Sequence, residues 1–158
     1  MREYDNTSRV EEIALERSGK PFWYPPTEKL RLVEVPDFPS LGKLTALRFI
    51  EWLQRNPDGV ISLPTGKTPE HFIKWTTHFL HNWTSRQVQQ TLGEWGIEAG
   101  RKPPMRSYTF VQIDEFYPMN PSQHNSFAYY IHRFYMKQFG LDPAKALLLD
   151  TWWTGAPP

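Results

Sequence analysis

Apolar residues recur along the chain with two different periods, and their alternation sets out the elements. Val10, Ile13 and Ala14 share one face of a short helix that Thr7 or Ser8 can cap, and Gly19 and Pro21 end it. A β-branched and apolar run predicts a first strand over residues 30–35. Ser40, following Pro39, opens a helix to about Arg55 with Leu44, Leu47, Ile50 and Leu53 at helical spacing. After a turn at Asn56-Pro57-Asp58-Gly59, a short, largely apolar run over residues 60–63 predicts a buried second strand. Helical spacing returns with Phe72, Ile73, Thr76, Phe79 and Leu80, where Thr68 suits the N-cap and Pro69 the first helical position. Thr84 and Gln87 form a capping box for a short helix carrying Val88 and Leu92. A third strand is predicted over residues 108–113 and a helix over 122–139, with Phe127, Tyr130, Ile131, Phe134 and Tyr135 inward and Gly140 as its stop. Residues 146–149 predict a fourth strand.

Strands alternating with helices predict an α/β fold, with a Rossmann-like parallel sheet, right-handed crossovers and flanking helices. Residues 1–28 read as an arm lying on the domain, because Pro21, Pro25 and Pro26 preclude regular structure while Phe22, Trp23 and Tyr24 need burial. Residues 29–158 then form the α/β domain.

Composition narrows the function classes. The net charge of +1 gives no electrostatic reason to expect nucleic acid as a partner. Cysteine is absent, which excludes disulfides, thiolate metal sites and cysteine nucleophiles in this chain. No apolar run approaches the ~18 residues of a membrane span, and the first residues show no apolar core of a secretory signal. A cytoplasmic setting away from membranes is the expectation.

Ligands of such sheets bind at the carboxyl ends of the strands. Two loops there carry suggestive chemistry. In the first, Gly66 allows close backbone approach and the helix start offers free N–H groups. Thr65 and Thr68 add hydroxyls and Lys67 an ammonium, which together make a phosphate cradle. An ordinary strand-to-helix turn is the alternative. In the second, Asp114 and Glu115 end a buried strand, where a carboxylate serves as a general base if burial raises its pKa, or else as a helix cap or ion-paired acid. Gly66-Lys67-Thr68 also suggests a nucleotide-binding P-loop. That motif needs a glycine five positions before Gly66, where this chain has Ile61.

With both loops in view, the chain resembles the glucosamine-6-phosphate deaminase family, which shares its fold with 6-phosphogluconolactonases. Leu63-Pro64-Thr65-Gly66-Lys67-Thr68-Pro69 looks like that family's sugar-phosphate loop. Thr109-Phe110-Val111-Gln112-Ile113-Asp114-Glu115-Phe116 looks like its strand ending in an Asp-Glu pair, and Ser126-Phe127 falls in the matching register. The lactonase branch usually has an Arg after the acid pair, where this chain has Phe116, so the deaminase branch fits better. A lactonase-like hydrolase and a non-catalytic sugar-phosphate-binding module remain the alternatives.

The resemblance implies a function in amino-sugar catabolism. Gly66, Lys67 and Thr68, with Thr65, would hold the phosphate. Asp114, with Glu115 beside it, would move a proton between C2 and C1 of the opened amino sugar. The enolamine becomes an imine, water adds, and ammonia leaves to give fructose 6-phosphate. No metal and no organic cofactor is expected, and the partner is a small sugar phosphate.

The chain departs from the family pattern at Lys67, where a small residue is usual, and at Phe116, where Tyr is usual. The family's Asp-Gly-His segment, whose His opens the sugar ring, has no match among His71, His78, His81, His124 and His132. The expectation is therefore the first half of a doubly wound domain, with little deaminase activity of its own. A free edge on the fourth strand, beside Trp152 and Trp153, would be a surface for pairing two copies.

Overall fold

The structure is a computed structural model, described here for residues 7–19 and 32–152. The aromatics of the expected arm (Phe22, Trp23 and Tyr24) and Trp153 lie outside the described residues, as do the first two positions of the expected first strand. Residues 32–35 carry no strand.

Helix α1 (Arg9–Ser18) is capped by Ser8, whose Oγ accepts from the Glu11 amide. The same hydroxyl donates to a Glu51 carboxylate oxygen at 2.6 Å, and the Arg9 amide donates to the other at 2.8 Å. Glu51 is only 4% exposed, yet its charge is answered by Arg48 and Arg55, so α1 is fastened to α2 at its first turn. Helix α2 (Phe38–Arg55) begins ahead of the expected Ser40, because Asp37 accepts from the Ser40 amide at 2.7 Å and Pro39 sits in the first turn. A proline loses nothing there, since no carbonyl awaits its missing N–H. At Gly42, α2 passes so close to α3 (Glu70–His81) that an added Cβ would lie 2.4 Å from His71 Cβ and 2.8 Å from the Phe72 nitrogen.

Helix α4 (Arg86–Glu94) is capped by Ser85, one residue after the expected Thr84. Helix α5 (Phe127–Ile131) is capped by Ser126, so residues 122–125 stay outside it. The helix continues through a π-helical stretch (His132–Met136) into a final turn, α6 (Lys137–Phe139). Helix α3 has Pro69 at its cap position and no side-chain cap, which corrects the expected Thr68.

Three parallel strands form the sheet, in the order β1 (Val60–Ile61), β2 (Thr109–Val111), β3 (Ala146–Leu147). Each is shorter than its apolar run. Val60 pairs with Thr109 and Ile61 with Phe110; Phe110 pairs with Ala146 and Val111 with Leu147. Paired residues in a parallel sheet share a face, so the register separates two faces. On one, Ile61 and Phe110 are buried at 4% and 1% exposure. There they join the core built from α2, α3 and α5–α6, including the ring chain Phe49, Phe72, Phe139, Tyr135 and Phe110. Tyr108 ties that core to α2 by donating to the Leu53 carbonyl at 2.5 Å, and burial pushes its phenol up to about 12.

On the other face, Val60 and Leu147 are 62% and 64% exposed. Ile113 and Leu149, just beyond β2 and β3, are exposed as well. The expected flanking helices are present, but those described cover one face.

Substitutions on the two faces should separate cleanly in chemical denaturation. Phe110→Ala is expected to cost about 3–5 kcal/mol. Leu147→Ser is expected to stay within about 0.5 kcal/mol. Equal losses would mean that both faces are packed.

Candidate active site

The carboxyl ends of β1 and β2 lie side by side. Ser62, just past β1, donates from Oγ to the Val111 carbonyl at the end of β2, 2.7 Å away. The two loops singled out by their chemistry therefore leave the sheet as neighbours.

The loop after β1 turns at Gly66, whose φ of +92° is open to glycine at little cost and strained for any residue with a Cβ. Gly66, Lys67 and Thr68 are exposed and Thr65 is half-buried. The amides of Thr65, Gly66, Lys67 and Thr68 meet no acceptor among the described residues. Two of the loop's carbonyls are instead taken by tyrosine hydroxyls. Tyr135 donates its hydroxyl to the Pro64 carbonyl, and Tyr130 donates to the Gly66 carbonyl at 2.7 Å. A loop with bonded carbonyls and free amides presents positive dipole ends, and α3 starts directly behind it.

The loop separates two cavities. Gly66 and Lys67 line one of about 660 Å³ between α3 and the π-containing helix, with Lys74, Tyr130 and Phe134. Thr68 lines another of about 440 Å³ against α2, with Arg48 and His71. Asp114 and Thr65 line neither.

Asp114 and Glu115 follow β2, and their surroundings differ sharply. Asp114 is exposed. Its carbonyl accepts from the Gln112 side chain at 2.8 Å, and Gln112, 4% exposed, also accepts from the Leu149 amide beyond β3. The backbone carrying Asp114 is thus held while its carboxylate faces water. Glu115 is committed to the start of α5. One of its carboxylate oxygens accepts from the Phe127 and Phe116 amides, both at 3.0 Å. The other accepts from Ser126 Oγ at 2.8 Å and the Ala128 amide at 2.9 Å. Burial pushes the Glu115 carboxyl up, but these donors together outweigh it and hold it below the usual glutamate range.

The structure thus brings the phosphate-type loop and Asp114 to one edge of the sheet, and gives Glu115 a helix to hold. Apolar spacing places Tyr130 and Tyr135 on the core face of a helix and Gln112 in the interior of a strand. The only advance signal for the tyrosines was their five-residue spacing, which an α-helix does not place on one side. Among the described residues no cluster of three or more metal-ligating side chains is present, and no helix is long and apolar enough to cross a membrane.

Comparison with known proteins adds the fold. A solved structure of a monomeric glucosamine-6-phosphate deaminase, described as a missing link of the NagB superfamily, superposes with a TM-score of 0.58 over 75% of this chain at 19% identity. The fold is of the NagB type. The matched region spans 42% of that enzyme's length. No family model matches the sequence, and no curated protein matches it.

The grip of Glu115 on α5 predicts a pH dependence. A carboxyl whose pKa is lowered by folding stabilises the protein above its unfolded pKa, and that contribution is lost as pH falls through the folded value. Glu115→Gln should cost about 1–3 kcal/mol at pH 7 in denaturant titrations, with the difference shrinking below about pH 4. A pH-independent loss would assign the effect to packing.

Proposed function

We propose that this chain carries the phosphate-binding loop and the proton-transferring carboxylate of a glucosamine-6-phosphate deaminase-type enzyme. The reading rests on one juxtaposition: free loop amides at the carboxyl end of β1, beside an exposed carboxylate at the carboxyl end of β2. The fold shared with a deaminase structure supports it.

In this reading the phosphate ester lies on the amides of Thr65 to Thr68, with the Lys67 ammonium and the threonine hydroxyls beside it. Amide dipoles fixed in advance need no reorganisation when the anion arrives. The sugar extends over the end of β2 towards Asp114. A carboxylate there takes the proton from C2 of the open-chain amino sugar and returns it to C1, because one oxygen can reach either of two adjacent carbons. Glu115 does not exchange protons with substrate. It holds α5, and through its own backbone it holds the position of Asp114. No metal or organic cofactor takes part in these steps.

Fructose 6-phosphate isolates the proton transfer, because its C1 hydrogens exchange with solvent through the same type of enol intermediate. Proton NMR in deuterated water should show C1 exchange that Asp114→Asn abolishes. Gly66→Val should weaken fructose 6-phosphate binding at least about tenfold by calorimetry, a loss of about 1.4 kcal/mol. Failure of the chain to bind any phosphate ester overturns the reading. The exposure of Asp114 favours a second reading, a sugar-phosphate-binding module without catalysis. Binding that depends on Gly66, with no C1 exchange and no effect of Asp114→Asn, selects it.

A further inference from the structure

Tyr130 and Tyr135 are five residues apart. In a regular α-helix that interval is about 1.4 turns, which sends the two side chains to different sides. Here the interval runs into the π-helical stretch, where the Lys137 amide reaches back to the His132 carbonyl, an i to i−5 bond. The wider turn brings residues five apart onto one side. The rings of Tyr130 and Tyr135 meet edge to face, with centroids 5.9 Å apart. Their hydroxyls reach carbonyls two residues apart on the loop after β1, Gly66 and Pro64.

The effect on the loop follows from peptide geometry. In a trans peptide plane the carbonyl of one residue and the N–H of the next point in opposite directions. Among the described residues the only cis peptide bond is Tyr117–Pro118. Carbonyls drawn onto the tyrosine hydroxyls at Pro64 and Gly66 therefore aim the Thr65 and Lys67 N–H groups away from the π-containing helix. Those two amides have no acceptor among the described residues. Positive φ at Gly66 lets the chain place both donors on one side, as in a backbone anion nest.

We infer that the π turn is a positioning device, in which Tyr130 and Tyr135 act as positioning residues that turn the Thr65 and Lys67 amides towards a phosphate. The inference rests on the phosphate-binding reading of the loop and names what shapes it. Both phenols are pushed up by burial, Tyr130 also by the nearby Glu70 charge. They remain hydrogen-bond donors throughout the physiological range. Tyr135 is wholly buried against Phe110 and Phe139, which fixes its ring, while Tyr130 is partly exposed on the wall of the larger cavity.

Tyr→Phe variants remove the hydroxyl and keep the ring, so they test positioning apart from packing. In the intact chain, Tyr130→Phe and the Tyr130→Phe/Tyr135→Phe double variant should bind inorganic phosphate more weakly, the double variant by at least about tenfold. Nitrogen-15 relaxation without ligand gives an independent measure. The order parameters of the Thr65, Gly66 and Lys67 amides should fall in Tyr130→Phe, from about 0.85 towards about 0.6, while those of α3 stay constant. Tyr130→Phe keeps the buried Tyr135 bond, so it remains informative if the double variant fails to fold. Unchanged loop order parameters, or phosphate affinity within about twofold of the parent, overturn the positioning role while leaving the loop as a phosphate site. If the parent chain binds no phosphate, the loop reading fails and the inference falls with it.

Discussion

The structure depends on one topological constraint: its parallel strands advance across the sheet in a single direction. Right-handed crossovers that step the same way each time deposit their helices on the same side. The register of β1, β2 and β3 shows the result, with Ile61 and Phe110 sealed beneath helices and Val60 and Leu147 in contact with water. All-parallel sheets normally have both faces covered. The core therefore lies between one sheet face and the helices, with α1 and α4 adding Val10, Val88 and Leu92 to the side chains of α2, α3 and α5–α6. Aromatic rings, which fill volume with few torsions, run through it from Phe72 to Phe139 among a larger set of aliphatic side chains. The same constraint gathers the loops after β1 and β2 at one edge.

Along that edge, adjacent acids have opposite fates. Glu115 sits among donors supplied by a helix start, and ionised it is worth more to the fold than neutral. Asp114, one residue earlier, is left in water with its backbone pinned by Gln112. Glu51 repeats the arrangement elsewhere, taking the Ser8 hydroxyl and the Arg9 amide at the start of α1. In both places a cap serine accepts from its own helix and donates to a distant carboxylate, so local and tertiary bonds share one hydroxyl.

These shared bonds explain what was legible in advance. Helices α2, α3 and α4 declared themselves through apolar spacing, because each buries a single face. Their starts were less legible, because cap-competent residues occur in clusters. Thr84 and Ser85 are adjacent, and Asp37 precedes Ser40 by three positions. Between Ser122 and Ser126 the choice falls to Glu115, a partner distant in sequence that periodicity cannot see. The strands are shorter than their apolar runs for a related reason. An apolar run marks burial, whereas a ladder needs a paired neighbour, and only two or three residues of each run have one. Lys67 and Asp114 were legible as site residues through loop chemistry. The tyrosine hydroxyls were hidden, since an α-helical reading of residues 127–139 assigns both rings to the core and leaves no reason for a wider turn.

The bonds around the site also close on themselves. From β2 the path runs through Asp114 and Glu115 to Ser126, along α5 and the π-helical stretch to Tyr130 and Tyr135, across to Gly66 and Pro64, and back through Ser62 to Val111 on β2. A closed chain of rigid links has fewer internal degrees of freedom than the same links laid open. The separation between the loop amides and the Asp114 backbone is therefore set by lengths of main chain and helix together with the side-chain bonds that join them. Loss of either tyrosine bridge leaves the ring closed through the other, whereas loss of both would turn a frame into a hinge.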